Sequence, residues 1–375
     1  MTTIGSLGDL HPMMALAFEL KKRGHLTTIV TTEFYRSKIE EAGLRFRPIR
    51  PNMSPEEPGL LAKVMDLKKG PEFIIREIFM PNLRDMYEDL KAAAADADFI
   101  VSGELVFATS ILAEQKNIRW AMAVLQPTSL MSSYDPSVIA PLPVTKYLHN
   151  APVLFHKLLF KIGQLVGRSW VKPIAELRAE LGLKEVDDPL FRDKFSPHLN
   201  LVMFSKLIGT PQPDWPRLSV QTGFAFYDRD ANGQSNPRDV DRFIDGGEPP
   251  IIFTLGSAAV RDAGDFYEES IKAAISMNKR AMLLVGDNLI KQKLPESIAA
   301  FEYAPFSEIF PRAACVVHQG GIGTTAQVLR AGVPQLVMPY GLDQPDNAAR
   351  VVRLGVARSI PRKKYSAALA EKALT

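Results

Sequence analysis

The sequence is poor in cysteine: Cys315 is the single one in 375 residues. One thiol cannot form an internal disulfide or a multi-cysteine metal site, and Cys315 sits in an apolar run where we expect a buried small hydrophobe. The sequence also lacks a run of about 18 apolar residues, which a membrane-spanning helix needs. We therefore expect a reducing, cytoplasmic setting without a transmembrane segment, and peripheral membrane contact stays open.

The sequence also has no large excess of positive or negative charge. The formal net charge is +3 and the sequence pI is about 8.8. Lysine and arginine do not gather into a run with interleaved aromatic residues, so nucleic acid is not an expected partner. The apolar and charged fractions are those of a globular protein, and the length suits two domains of ordinary size.

Short apolar runs alternate with helical stretches in both halves of the chain. Pro12 is expected to begin a helix that Gly24 ends, further helices are expected at 265–277 and from about Thr324, and residues 129–172 read as an irregular loop leading into a helix. The alternation predicts an α/β protein with parallel sheets. The predicted strands are 26–31, 98–101, 120–125, 251–255, 281–285, 313–317 and 335–338.

A polar segment without periodicity separates the two alternating halves. It is rich in Asp, Arg, Asn, Gly and Pro, and it is the best candidate for a linker, at 227–240. The predicted domains are therefore 1–226 and 241–375. Two similar halves indicate two Rossmann-like domains that face each other across a cleft, with ligands at the carboxyl ends of the strands.

The strongest motif is the glycine-rich run at 318–325, His-Gln-Gly-Gly-Ile-Gly-Thr-Thr. It follows a predicted strand and opens a predicted helix. Glycines let a backbone approach a ligand closely, and a helix N-terminus offers unpaired N–H groups and a positive dipole end. The run therefore predicts a cradle for a diphosphate, to which His318 could donate a hydrogen bond.

Asp343 and Gln344 follow the next predicted strand. A carboxylate beside an amide is suited to binding pairs of hydroxyl groups, because Asp accepts hydrogen bonds and Gln both accepts and donates them. A nucleotide-sugar site requires a loop that binds the diphosphate and, next to it, side chains that bind the hydroxyl groups of the sugar. The alternative is that Asp343 only caps the helix that follows.

Residues 318–355 resemble the donor-binding signature of the UDP-glycosyltransferase superfamily, in its bacterial and sterol-type version. Residues 5–12, 212–216, 222–224 and 254–257 also resemble that family, and the spacing along the chain is similar to bacterial rhamnosyltransferases of rhamnolipid synthesis and bacterial natural-product glycosyltransferases. The resemblance implies a GT-B fold. It implies inverting, metal-independent transfer of a hexose or deoxyhexose from a UDP- or dTDP-sugar to a hydroxyl of an apolar small molecule or lipid, without a cofactor.

The resemblance also implies a role for individual residues. Asp9 matches the position of the catalytic base in the first loop of the family. The N-terminal domain would bind the acceptor and the C-terminal domain the donor. Family members usually continue past residue 375 through helices that cross back onto the first domain, so this chain is expected either to be a fragment or to lack those closing helices. The implied donor-binding residues are Ser257, Tyr303, Ala304, His318, Gly320, Gly321, Gly323, Thr324, Thr325, Asp343 and Gln344.

Several alternatives remain at the level of single residues and of function. His11 is the other candidate for the base or an acceptor-side residue, Glu104 is a candidate acceptor-side residue, and Asp9 could serve only its helix N-terminus. Glu33 would suit the ribose of a nicotinamide cofactor, but the first loop lacks the Gly-x-Gly-x-x-Gly pattern of such oxidoreductases. A catalytically silent partner of a glycosyltransferase should carry a degraded donor motif, whereas this motif is intact.

Overall fold

The computed structural model describes residues 1–54, 57, 59–228 and 238–375. The chain divides into two compact units. The first comprises Met1–Glu57 and Lys68–Tyr227, and the second comprises Pro58–Leu67 and Asp228–Thr375. The excursion of Pro58–Leu67 into the second unit has no counterpart in the predicted division at 227–240. Of that predicted linker, residues 229–237 lie outside the described part of the chain.

The N-terminal half of the chain alternates short strands with helices. Its strands are β1 (Thr28–Thr31), β2 (Arg45–Pro48), β3 (Phe99–Ser102), β4 (Arg119–Val124), β5 (Leu199–Val202) and β6 (Ser219–Gln221). Its helices are α1 (Leu7–Lys22), α2 (Arg36–Glu41), α3 (Leu60–Val64), α4 (Gly70–Phe73), α5 (Leu83–Ala93), α6 (Ala108–Lys116), α7 (Val153–Arg168) and α8 (Lys172–Glu180). A π-helical segment spans Ile74–Phe79, and 3-10 turns span Glu33–Tyr35, Pro127–Leu130, Pro143–Tyr147 and Ser169–Val171.

The first unit contains a parallel sheet whose centre is formed by residues 1–3. Thr2 bridges to Val30 of β1 on one side and to Ser102 of β3 on the other. The strands therefore follow the order β2, β1, residues 1–3, β3, β4, β5 and β6. Counted along the chain, the first six are in the 3-2-1-4-5-6 order of doubly wound sheets, whose ligand site lies where the order reverses. Here that point lies between residues 1–3 and β3.

Helix α1 begins at Leu7, so the prediction that Pro12 is its first residue is wrong. Ser6 and Asp9 form a capping box: the Ser6 side chain accepts from the backbone N–H of Asp9, and the Asp9 side chain accepts from the backbone N–H of Ser6. This box sets the earlier start of the helix. Pro12 instead lies inside the helix, where it withholds an N–H from the carbonyl of Gly8.

The second unit contains the remaining strands and helices. Its strands are β7 (Ile251–Thr254), β8 (Ala281–Leu284), β9 (Ile298–Phe301), β10 (Cys315–His318), β11 (Gln335–Val337) and β12 (Ala357–Ser359). Its helices, besides α3, are α9 (Arg238–Asp245), α10 (Gly256–Ala259), α11 (Phe266–Ser276), α12 (Phe306–Ile309), α13 (Ile322–Ala331), α14 (Gln344–Arg353) and α15 (Ala367–Leu374). Its 3-10 turns span Val260–Asp262, Phe310–Arg312 and Arg362–Lys364.

These strands form one parallel sheet in the order β12, β11, β10, β7, β8, β9. Counted within the unit this is again the doubly wound order, and it reverses between β7 and β10. Strand β7 is buried on both faces: Ile251 and Phe253 pack into one core cluster and Ile252 into another. The seven predicted strands are confirmed to within two residues at each end, whereas β2, β5, β6, β9 and β12 were not predicted. Among the described residues, no helix is both long and apolar enough to cross a membrane.

Candidate active site

Asp9 lies in the first turn of α1, which follows residues 1–3 of the first unit's sheet. Its Oδ2 atom accepts hydrogen bonds from the backbone N–H of Ser6 at 2.8 Å and from the Ser6 hydroxyl at 3.3 Å. A Cβ atom at Gly5, whose φ is +151°, would lie 2.2 Å from the same Oδ2, so this placement of the carboxylate depends on glycine. Both bonds that Ser6 donates go to Oδ2, which leaves Oδ1 outside the capping box.

The surroundings of Asp9 make its carboxyl group a stronger base than an exposed aspartate. Burial raises the pKa of Asp9 to about 6, the hydrogen bonds from Ser6 oppose the rise, and the like charge of Glu104 adds to it. A carboxylate with a pKa of about 6 is ionised at neutral pH and is still basic enough to accept a proton in a reaction. The capping role that the sequence left open is therefore present together with the properties of a general base.

His11 is less suited to that role. Burial, helped by the charge of Lys38, lowers the pKa of His11 to about 3, so the imidazole is neutral and weakly basic. The ring lies against Tyr227, with centroids 4.9 Å apart. Its Nε2 atom is buried and has no hydrogen-bond partner among the described residues. His11 is therefore an uncharged side chain that packs against its neighbours and is poorly suited to accept a proton.

Glu104 follows β3, at the same reversal point of the first sheet as Asp9. Its side chain forms an ion pair with the buried Lys194 and accepts a hydrogen bond from the Ser129 hydroxyl. Burial favours the protonated form, but Lys194 and Ser129 outweigh it and hold the pKa of Glu104 below its usual value. Glu104 therefore stays charged and acts on Asp9 through that charge.

In the second unit, the loops after β7 and β10 meet at the reversal point of the sheet. Gly256 has a φ of +65°, and a Cβ atom there would lie 2.3 Å from Nε2 of Gln319 and 3.3 Å from Oγ1 of Thr324. A Cβ atom at Gly321 would lie 2.8 Å from the same Nε2. The Gln319 side chain thus fills a space that two glycines keep open. The sequence predicts its neighbours as site residues but not Gln319, since a side chain between two loops leaves no periodic signal.

His318 is fully buried at the end of β10. Its Nδ1 accepts from the N–H of Gly320 at 3.0 Å, so Nε2 carries the proton and donates to Oε1 of Gln335 at 2.9 Å. Burial lowers the pKa of His318 to about 4, which leaves the ring neutral. Both ring nitrogens are therefore engaged inside the protein. His318 stabilises the turn through these two hydrogen bonds. Its expected contact with phosphate stays a prediction.

Gly320 serves the turn in the same way. Its φ is +86°, and a Cβ atom would lie 2.8 Å from Cγ1 of Val337. Its N–H goes to His318, and its carbonyl accepts from the Asn347 side chain at 3.0 Å. Both backbone groups of Gly320 are thus used to tie the β10 loop to its neighbours.

The N-terminus of α13 offers the amides that an anion would need. The N–H of Thr325 is bonded to the carbonyl of Gly321 at 2.9 Å, and the amides of the three preceding residues have no acceptor within the helix. Gly323 is exposed, whereas Thr324 and Thr325 are buried. Anion binding here would therefore use backbone amides near Gly323, while the Thr325 hydroxyl points into the protein.

Asp343 and Gln344 lie where β11 leads into α14. The Gln344 carbonyl oxygen, Oε1, accepts from the N–H of Tyr340 at 2.9 Å, so this amide shapes its own loop. Asp343 is partly exposed and accepts from Nδ2 of Asn347 at 2.6 Å. A Cβ atom at Gly341 would lie 2.6 Å from the carbonyl oxygen of Met65, so the excursion at Pro58–Leu67 packs directly on this loop.

Three further predicted residues lie at strand ends of the same sheet. Ser257 is exposed in α10, directly after β7 and Gly256. Tyr303 is 56% exposed and Ala304 is fully buried, and both follow β9 at the edge of the sheet. The structure thus brings Gly256 together with the β10 loop, and the β10 loop with Asp343 and Gln344, while Tyr303 and Ala304 lie two strands away from β7.

Acidic pairs of the Asp-x-Asp type occur at 96–98, 228–230 and 239–241. The first precedes β3, and the third lies in α9, where Asp241 pairs with Arg312 at 2.7 Å. Residues 229 and 230 lie outside the described part of the chain. Within the described ranges, no group of three or more His, Cys, Asp or Glu side chains is placed to hold a metal ion.

Two sequence families match the chain. Residues 1–121 match the Glycosyltransferase family 28 N-terminal domain, and residues 278–375 match the Erythromycin biosynthesis protein CIII-like, C-terminal domain. The chain is 29% identical over 373 residues to O-mycaminosyltylonolide 6-deoxyallosyltransferase of Streptomyces fradiae, covering 96% of this chain and 84% of the relative. It is 27% identical over 387 residues to a sterol 3-beta-glucosyltransferase of Komagataella phaffii, covering 98% of this chain and 31% of that relative.

Solved structures agree in their fold. The glycotransferase of kitacinnamycin has a TM-score of 0.71 at 21% identity, with 100% of this chain and 88% of that chain covered. Glycosyltransferase VinC in complex with DTDP has a TM-score of 0.66 at 18% identity, with 100% and 89% covered. Both likenesses extend over this whole chain.

Proposed function

Because this chain is a glycosyltransferase of the GT-B fold, with a family 28 N-terminal domain and an EryCIII-like C-terminal domain, we propose that it transfers a sugar with inversion from a nucleotide diphosphate to a hydroxyl of an apolar natural product or sterol-like acceptor. The observation that carries the proposal is the pair of doubly wound sheets, with Asp9 and Glu104 at the reversal point of the first and Gly256 and the β10 loop at that of the second.

The first unit supplies the base in this proposal. The acceptor hydroxyl attacks C1 of the sugar as the bond to the nucleotide diphosphate breaks, and the Asp9 carboxylate takes the hydroxyl proton as the new bond forms. A raised pKa supports this role, because the product state is a protonated carboxyl group in a partly buried setting. The neutral His11 ring, tilted against Tyr227, contributes an uncharged packing surface on the acceptor side.

The second unit binds the donor. The amides at the start of α13 and the positive end of its dipole stabilise the negative charge that develops on the leaving diphosphate. His318 and Gly320 act one layer behind them and hold these amides in place. The Oε1 atom of Gln319 is buried and has no hydrogen-bond partner among the described residues, so it offers an acceptor to a hydroxyl of the donor.

Asp343 holds hydroxyls of the transferred sugar, and Tyr303 and Ser257 contact the nucleoside in this proposal. The donor is a UDP- or dTDP-linked hexose or deoxyhexose, because solved relatives are described with DTDP bound and the sequence relatives are named for a deoxyhexose and for glucose. The acceptor class is taken from the names of the same sequence relatives, which specify O-mycaminosyltylonolide and a sterol.

A donor and acceptor screen tests the proposal. The protein is incubated with UDP- and dTDP-sugars and with polyketide, phenolic and sterol alcohols. Release of the nucleotide diphosphate together with an acceptor whose mass has grown by one sugar residue supports it, and proton coupling at the new C1 reports whether the configuration has inverted. Retained configuration, or no transfer from any donor while both nucleotide diphosphates fail to bind, contradicts the proposal.

A further inference from the structure

Helix α7 presents an apolar face to solvent. Six apolar side chains between Leu154 and Val166 are exposed, the most exposed of them at 77% and 64% for Leu154 and Leu165. With 3.6 residues per turn, the six fall within an arc of about 120° on the helix surface. Exposed apolar surface of this extent marks an interaction site. The six residues are Leu154, Phe155, Leu158, Ile162, Leu165 and Val166, and together they form the α7 apolar face.

The opposite side of the helix is fixed to the first unit. His156 and Gly167 are buried, and a Cβ atom at Gly167 would lie 2.9 Å from Cδ2 of Leu190, so the helix and its support are in close contact. Nε2 of Gln164 donates to the carboxylate of Asp188 at 2.8 Å. The apolar face is therefore held outward by packing on the other side of the helix.

Cations border this face. Lys157, Lys161 and Arg168 are exposed and fall within an adjacent arc of about 40° at 3.6 residues per turn. The side chain of Lys157 also lies over the ring of Tyr134, at 5.6 Å from its centroid, and that ring is itself 43% exposed. The helix thus shows solvent an apolar arc beside a cationic arc.

The charge of the whole segment has one sign. Residues 136–175 contain five Lys and Arg residues and no Asp or Glu, although the full chain has 45 basic and 42 acidic residues. At the average of 42 acids in 375 residues, a stretch of 40 would hold about four. A helix with apolar residues on one side and only cations beside them is typical of segments that lie in the interface of an anionic bilayer.

We propose that the α7 apolar face docks the protein on the surface of an anionic lipid bilayer, with Lys157, Lys161 and Arg168 against the phosphate headgroups. Helix α7 has 16 residues, which is short for a span of the hydrocarbon core, so it lies in the plane of the surface. A second copy of the chain is a poorer occupant. Two copies related by a twofold axis would bring their apolar faces together and set cations against cations, because α7 itself carries no acid.

Vesicle binding tests this proposal independently of glycosyl transfer. The protein is sedimented with vesicles of phosphatidylcholine alone and of phosphatidylcholine with phosphatidylglycerol, at low and high salt. Two double variants are compared with the parent: Leu158→Gln with Leu165→Gln, and Lys157→Gln with Lys161→Gln. Matched controls change exposed residues elsewhere, Leu26→Gln with Leu289→Gln, and Lys291→Gln with Lys293→Gln.

We expect the parent and both controls to bind the anionic vesicles and to release them at high salt. Either α7 variant should lower the partition coefficient by about tenfold or more at an unchanged melting temperature. Equal binding by the α7 variants and their controls would overturn the proposal. A parent protein that binds neither kind of vesicle would also overturn the proposal. This holds in particular if light scattering shows a dimer that the double variant Leu158→Gln with Leu165→Gln converts to a monomer.

Discussion

The carboxylate of Asp343 accepts a hydrogen bond of 2.6 Å from the side-chain amide of Asn347, one turn into α14. Among the described residues it makes no capping bond to the backbone of that helix, although Asp343 occupies the N-cap position. The same amide donates to the carbonyl of Gly320 at 3.0 Å. One amide thus links the carboxylate to the glycine-rich turn, and the capping alternative left open by the sequence is not realised by the side chain.

A substitution at this carboxylate separates sugar binding from a structural role. Asp343→Asn removes a charged acceptor, and we expect it to weaken binding of the nucleotide sugar by about 1.5–3 kcal/mol. The free nucleotide diphosphate carries no sugar, so its affinity should barely change. Calorimetric titration of both ligands, with Asp265→Asn at the N-cap of α11 as the control, provides the measurement. Equal losses of affinity for both ligands would show that Asp343 does not bind the hydroxyls of the sugar.

The space between Gly256 and Gln319 gives a second prediction. Gly256→Ala puts a methyl group 2.3 Å from Nε2 of Gln319 and should push that side chain toward the donor. Gly264→Ala is the matched control, because its φ of +53° carries the same backbone strain and nothing lies within 4 Å of the new atom. We expect Gly256→Ala to raise the dissociation constant of the nucleotide diphosphate about tenfold or more relative to Gly264→Ala, which is about 1.4 kcal/mol. Similar constants for the two variants would argue against a donor site beside Gln319.

The pH dependence of the reaction should report the carboxyl group of Asp9. The base must be ionised, and burial raises its pKa to about 6, so kcat/KM should be level above that pH and fall about tenfold per unit below it. Glu104→Gln removes a like charge that contributes to the rise and should move the acid limb to lower pH. A profile that stays level down to pH 4, or a limb that moves upward in Glu104→Gln, would contradict the assignment.

Chelation should leave the reaction intact. The charge on the leaving diphosphate is expected to be met by fixed amides at the N-terminus of α13 and by the helix dipole. Product formation is therefore measured after dialysis against excess chelator, then again after magnesium or manganese is added back. Full activity in both samples is the expected result. Loss on chelation with recovery on adding either ion would show that the amides alone do not suffice.

Much of the fold follows from local pattern, since buried parallel strands read as continuous apolar runs. Strands such as Ile251–Thr254 and Ala281–Leu284 were predicted for that reason. The edge strand Ala357–Ser359 is not predicted by the sequence because it has few apolar residues. The start of α1 depends on the capping box of Ser6 and Asp9, a weaker sequence signal than Pro12. The excursion at Pro58–Leu67 depends on tertiary packing and has no local signal.

The site likewise has features that the sequence predicts and features that it does not. Glycine-rich turns and acidic residues at helix starts stand out in a sequence, so the segments that hold Asp9, Gly321 and Asp343 could be predicted. What each group bonds to could not be predicted, because it depends on neighbours distant in the chain. His318 faces Gln335 in place of solvent, and Gln319 occupies the space beside Gly256.

The rate of Asp9→Asn tests the central claim most directly. An amide oxygen can still accept from the N–H of Ser6, so the variant should fold, while its side chain cannot take the proton of the acceptor. Ser6→Ala is the control: it keeps the carboxylate, loses about 0.5–2 kcal/mol of stability with the cap, and should keep most of the rate. With the donor and acceptor found by screening, we expect kcat of Asp9→Asn to fall by about two to four orders of magnitude, with donor affinity unchanged. Turnover of Asp9→Asn at the rate of the parent, with His11→Ala inactive, would contradict the account.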